Sequence, residues 1–238
     1  MTGKASLACA AQDVLLCGDA RGKAALAREV ATLPRDMPRR SFKGERGRVA
    51  LLHSLAHIEL NAIDLAFDIA GRFQSEKLPR AFFDDWIGVG DDEARHFTML
   101  EDRLADFGAR YGDLPAHDGL WQAAEETRHD LLARLAVVPM VLEARGLDVT
   151  PGMIERLKSA GDERSASILD TIYTEEQGHV GAGTRWFTHL CEERGLASQQ
   201  VFHELVKRHF RGALKPPFNE AARRAAGLEP GFYEPLAG

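Results

Sequence analysis

Two stretches decide how this chain reads: Asp91-Asp92-Glu93-Ala94-Arg95-His96-Phe97 and Thr174-Glu175-Glu176-Gln177-Gly178-His179-Val180. Each contains a Glu-x-x-His unit, and each unit has a further glutamate well upstream. Glu59 precedes Glu93 by 34 residues, and Glu143 precedes Glu176 by 33. The order Glu, Glu-x-x-His, Glu, Glu-x-x-His is the ligand arrangement of two metal ions held at the centre of a four-helix bundle. Spacing of three places Glu and His on one helix face, about 5–6 Å apart at Cβ, so both can reach one ion.

The neighbours of these six residues at helical period are apolar. Leu52, Leu55, Ala56, Ala62, Ile63, Ala66 and Ala70 share a face with Glu59. Phe82, Trp86, Val89, Gly90, Phe97 and Leu100 surround Glu93 and His96. Leu132, Leu135, Ala136, Pro139 and Met140 accompany Glu143, and Ile168, Leu169, Ile172, Val180, Gly183, Phe187 and Leu190 accompany Glu176 and His179. Carboxylates on apolar stripes are expensive unless a cation or a proton compensates them. Two divalent ions bring four positive charges to four carboxylates, and two neutral imidazoles complete the set. The expected metal ligands are Glu59, Glu93, His96, Glu143, Glu176 and His179, with no catalytic residue beyond them.

Period-two Val/Ile/Thr runs are missing, so the chain is expected to be all-α. Long helices are predicted near 46–73, 79–108, 117–146 and 162–194, with an N-terminal helical piece at 5–31. A short helix is expected to start after Thr150-Pro151, where Pro suits a first turn, and further helices near 198–211 and 219–227. Leu78-Pro79, Gly108, Gly112-Asp113-Leu114-Pro115, Gly146 and Gly195 mark the breaks. Pro139 should kink the third helix four residues before Glu143. The domain reading is an N-terminal extension and basic linker at 1–45, a four-helix bundle at 46–196, and C-terminal helices and tail at 197–238. Phe218, Leu228, Phe232, Tyr233 and Leu236 give that tail something to bury.

With 238 residues, 45% hydrophobic and 28% charged, the chain has the composition of a soluble globular protein. No apolar run approaches the ~20 residues of a membrane span, and Asp13 interrupts the only N-terminal apolar stretch. Cys9, Cys17 and Cys191 form no CxxC pair, and a reduced cytoplasmic setting is expected. A net charge of −6 excludes a general nucleic-acid footprint. Residues 34–48, with six Arg/Lys against two acids, are the local exception and read as a solvated linker or a contact for a phosphate-bearing partner.

Glu126-Thr127-Arg128-His129 is a third Glu-x-x-His copy. Its neighbours Glu125, Arg128 and Asp130 are polar, so it reads as an outward face. Asp92 and Glu175 each precede a ligand glutamate and are either acids that orient a ligand histidine or solvated groups. Tyr173, one turn before Glu176, is either a hydrogen-bonding or redox neighbour of the metals or a core tyrosine. His53 and His57 are read as packing or solvated groups, because position 57 lies about 200° around the helix from Glu59.

These motifs resemble the ferritin-like di-iron carboxylate superfamily. Asp92-Glu93-Ala94-Arg95-His96 matches the D-E-x-R-H form of its oxygen-activating members, and Glu175-Glu176-Gln177-Gly178-His179 matches it more loosely. AHIELNAIDLAFD, DDEARHF, VVPMVLEARGLDVTP, IYTEEQGHV and KPPFNEAARRAAG together look like a bacterial family of uncharacterised ferritin-like proteins. The resemblance implies a ferritin-like bundle and two iron ions, with Mn/Fe or Mn/Mn served by the same ligands. It also implies an O2-dependent oxidoreductase that oxidises or hydroxylates an organic substrate. An electron donor protein and a homodimer are the expected partners. The other readings are an iron-handling ferroxidase, a tRNA-modifying hydroxylase and a metal-binding scaffold without catalysis.

Overall fold

The computed structural model describes residues 40–117 and 119–238, and among these the protein is all-α. The helices are α1 (Glu45–Arg72), α2 (Arg80–Asp106), α3 (Gly119–Glu126), α4 (Leu131–Val137), a π-helical segment (Val138–Glu143), α5 (Ala144–Ser159) and α6 (Glu163–Glu193). Then follow α7 (Ser198–His209), α8 (Glu220–Ala225), α9 (Pro230–Tyr233) and a 3₁₀ turn (Glu234–Leu236). One isolated bridge, Leu214 to Ala237, is the only β pairing among the described residues. The expected N-terminal helix at 5–31 and residues 34–39 of the basic stretch lie outside them.

The chain divides into two compact units. The first holds the described residues up to Trp121 together with Arg156–Ile168. Its frame is the pair α1 and α2. Glu45 opens α1, and Arg72 closes it with a hydrogen-bonded ion pair to Asp68, charges that suit the helix dipole at each end. Pro79 starts α2 in extended conformation and Gly108, at φ +68°, ends it. Leu52, Leu65, Ile69, Phe82, Trp86, Phe97, Leu100 and Leu104 bury the apolar stripes. The two helices meet closely at Gly90, where a Cβ would lie 2.8 Å from the Phe67 ring. Asp162 accepts from Arg103 (2.9 Å) and pairs with Arg48 (3.3 Å), while both guanidinium groups lie over the Phe107 ring. Arg48, part of the basic stretch, therefore serves the fold. By length and composition α1 could cross a membrane, but 78% of its apolar window is buried inside the protein.

The second unit holds Gln122–Glu155 and Leu169–Gly238. Here the structure corrects the expected third helix at 117–146. α3 stops at Glu126, and Asp130 opens a new helix. Asp130 Oδ1 accepts from the Leu132 and Ala133 amides, an N-cap worth about 1 kcal/mol. The fully buried Arg134 closes the break by donating to Thr127 Oγ1 and the Ala124 carbonyl.

The expected end at Gly146 and the separate short helix after Pro151 are also corrected. From Leu131 the chain stays helical to Ser159, with Pro151 inside α5. A proline there frees the carbonyl four residues back. That carbonyl belongs to Leu147, and Asn219 Nδ2 donates to it at 3.1 Å. At Pro139 the chain widens into the π-helical segment, where the Ala144 amide reaches Pro139 O, five residues back.

The C-terminal segment packs through Leu228, Phe232, Tyr233 and Leu236, all buried. Arg223 makes a bidentate pair with the buried Asp148 (2.8 and 2.7 Å) and lies over the Phe218 and Tyr233 rings.

Candidate metal centre

In the first unit, α1 presents Glu59 and α2 presents Glu93 and His96. Side-chain oxygens and the imidazole nitrogen of these three lie within 4.8 Å of one another. His96 Nδ1 is 3.3 Å from Glu93 Oε2 and 3.4 Å from Glu59 Oε2. Glu93 and His96 are 0% exposed. Their helices approach closely because Gly90, one turn before Glu93, leaves room for Phe67.

Electrostatics at this point favours positive charge. Burial alone would push the His96 imidazole down, but hydrogen bonding and charge from Glu59 and Glu93 outweigh it and hold it up at about 10. In the metal-free protein a proton on Nδ1 therefore occupies the point on which two carboxylates converge. A dication fits the same donors, and this buried cluster could hold one. Carboxylate and imidazole donors suit iron, manganese or zinc.

In the second unit, α6 presents Glu176 and His179, with His179 Nδ1 3.5 Å from Glu176 Oε1. Glu143 is the last residue of the π-helical segment. The ligand helix meets that segment closely, since a Cβ at Gly183 would lie 2.5 Å from the Pro139 ring. A π segment adds a residue to a turn and so changes the direction of the side chains within and after it, Glu143 among them. Of the three glycines near His179, Gly183 is taken up by this packing and Gly181 faces Ala226 at 3.8 Å, while Gly178 has open space.

The flanking residues of the motifs are placed as follows. Asp92 pairs with Arg95 at a half-exposed surface. Glu175 is half-buried. Tyr173 Oη accepts from Asn219 Nδ2 at 2.9 Å. Asn219 thus joins α6, one turn before Glu176, to the Leu147 carbonyl, one turn after Glu143. No short-range motif announced Asn219, Asp148 or Arg223 as a unit, because they come together from positions more than 70 residues apart.

His53 and His57 are buried in a polar network that the sequence reading missed. Asn61 Nδ2 donates to His57 Nε2 (3.1 Å), leaving Nδ1–H to donate to Tyr111 Oη (2.8 Å). His53 Nε2 accepts from the Gly112 and Leu114 amides. The i, i+4, i+8 spacing of His53, His57 and Asn61 on an apolar helix was the available signal.

An all-helical protein with a buried carboxylate–histidine cluster suited to a metal ion is thus the class that fold and site define. The chain belongs to the family described as Protein of unknown function (DUF455), which matches residues 12–234. It is 43% identical over 200 residues to an uncharacterized protein of Haemophilus influenzae, covering 82% of this chain and 69% of that one. No solved structure matches the chain.

Proposed function

We propose that the two Glu-x-x-His halves, each with its partner glutamate, form one dinuclear centre within a ferritin-like four-helix bundle. In this reading the centre activates O2 to oxidise or hydroxylate an organic substrate. The observation that carries the proposal is the buried convergence of Glu59, Glu93 and His96, together with the same residue pattern repeated at Glu143, Glu176 and His179. Glu93 with His96 and Glu176 with His179 would hold the ions, with Glu59 and Glu143 completing the donor set. The glutamate-rich donor set favours iron or manganese. Loaded with two Fe(II) ions, the centre supplies the electrons for reducing O2, and a donor protein restores them. The protein's own share is to bury the donors, fix their orientation and release the His96 proton as a cation takes its place.

The test is metal content by mass spectrometry, followed by O2 consumption of the Fe(II)-loaded protein. About two iron or manganese ions per chain are expected, lost in the Glu93→Ala/Glu176→Ala double variant. O2 uptake should exceed that of the same variant. Folded protein that takes up no metal would sink the proposal, and metal without O2 uptake would reduce it to a scaffold role.

A further inference from the structure

The third Glu-x-x-His copy gains a partner in the fold. Glu126 ends α3 and His129 lies in the turn before α4. His209, the last residue of α7, packs beside both. The His129 and His209 rings meet edge to face with centroids 5.9 Å apart, and His209 Nδ1 lies 3.9 Å from Glu126 Oε1. The His209 side chain is only 8% exposed, and its Nδ1 has no hydrogen-bond partner among the described residues. A buried polar atom left in that state is costly. It faces the Glu126 carboxylate, 61% exposed, and the neighbouring His129 ring is also on the surface, so both side chains are able to move.

We propose that Glu126, His129 and His209 bind a transition-metal dication of the zinc class, at a site separate from the carboxylate-rich centre. Two imidazoles and one carboxylate are a ligand set that zinc accepts, with water in the fourth position. Nitrogen-rich donors also set this site apart from the glutamate-rich one. Ligand atoms about 2.0–2.1 Å from a shared tetrahedral ion stand about 3.3 Å apart. Glu126 Oε1 must therefore close on His209 Nδ1 by roughly 0.6 Å, within reach of an exposed side chain. Ring centres on such an ion lie about 5–6 Å apart; the His129 and His209 rings are 5.9 Å apart, and the exposed His129 must turn a ring nitrogen toward the ion. Arg128, the nearest cation in sequence to His129, is turned to Glu125 at 3.0 Å. Lys207 and Arg208 precede His209 on exposed positions. Once bound, the ion would pin the end of α7 to the turn that separates α3 from α4.

The experiment is a Zn(II) titration of the metal-stripped, full-length protein, read by a competing chromophoric chelator and by mass spectrometry. It is run beside His129→Ala and Glu126→Gln, which alter exposed side chains and keep the buried His209. The unmodified chain should bind about one equivalent more than His129→Ala, whatever the carboxylate-rich centre takes up. Glu126→Gln should weaken that equivalent by about tenfold or more. Zn(II) should raise the melting temperature of the unmodified chain more than that of His129→Ala. Equal stoichiometry in the unmodified chain and His129→Ala would overturn the proposal and leave an ion pair between Glu126 and His209 only.

Discussion

His57 shows most directly what burial does to a single side chain here. Burial first, and then the neighbouring His53, push its imidazole down to about 4. The unfolded chain takes up a proton near pH 6.5, whereas the folded protein resists until about 4. Stability from the neutral ring is therefore present above 6.5 and lost as pH falls toward 4. A shift of this size corresponds to roughly 3 kcal/mol, and His53, also lowered by burial, adds in the same direction. Urea unfolding of metal-free protein should show stability falling between pH 6.5 and 4, with a smaller fall in His57→Gln. An unchanged profile in that variant would assign the loss to other groups. His96 has the opposite sign. Its pKa is raised, so its contribution is present below 6.5 and lost as pH rises toward 10. Metal uptake at Glu59, Glu93 and His96 should release a proton near neutral pH, measurable with an indicator dye in weak buffer.

At the scale of the helix, two prolines set the requirements and distant residues meet them. Pro151 is tolerated inside α5 because Asn219 satisfies the carbonyl it frees. Asn219→Ala should lose about 1–3 kcal/mol in denaturant unfolding by stranding the Leu147 carbonyl. Asp148→Ala should cost more, about 3–5 kcal/mol, since Arg223 is left charged and buried. The ligand helix gives a contrasting pair. Gly183→Ala would drive a methyl into Pro139 and should destabilise by about 1–3 kcal/mol. Gly178→Ala meets nothing within 4 Å and should stabilise by about 1 kcal/mol in thermal melts. If both substitutions act alike, the close approach at Pro139 is not what Gly183 serves. Little of this was legible beforehand. The Asp130 N-cap heads Leu131-Leu132-Ala133, a position read from its polarity as part of an outward face of one long helix. The continuation through Pro151 depends on a residue 68 positions later.

For the whole molecule, the proposed ligands come from two separate stretches of the chain, Glu59 to His96 and Glu143 to His179. Metal loading should then act on both halves of the chain at once. Iron- or manganese-loaded protein should melt above the metal-free form, and Glu59→Ala or Glu143→Ala should abolish that rise. Retention of the rise in Glu143→Ala would remove Glu143 from the ligand set and leave the cluster around Glu59, Glu93 and His96. The buried window of α1 belongs to the same scale, since a helix apolar enough for a membrane here fills a protein core.

By itself the sequence determined the all-helical class, the positions of three of the four expected long helices and the apolar stripes beneath Glu59, Glu93, His96 and His179. Helical period and proline or glycine breaks are local, so they can be read without knowing what packs against what. Tertiary structure alone decided the split of the third helix, the π-helical form that the expected disturbance at Pro139 takes, and the Asn219 bridge. It also decided the burial of His53 and His57 against Tyr111 and the meeting of His209 with the third Glu-x-x-His. Each of these depends on which distant group fills a freed carbonyl, a buried ring nitrogen or the space above a glycine, and those partners are set by packing rather than by neighbours in the chain.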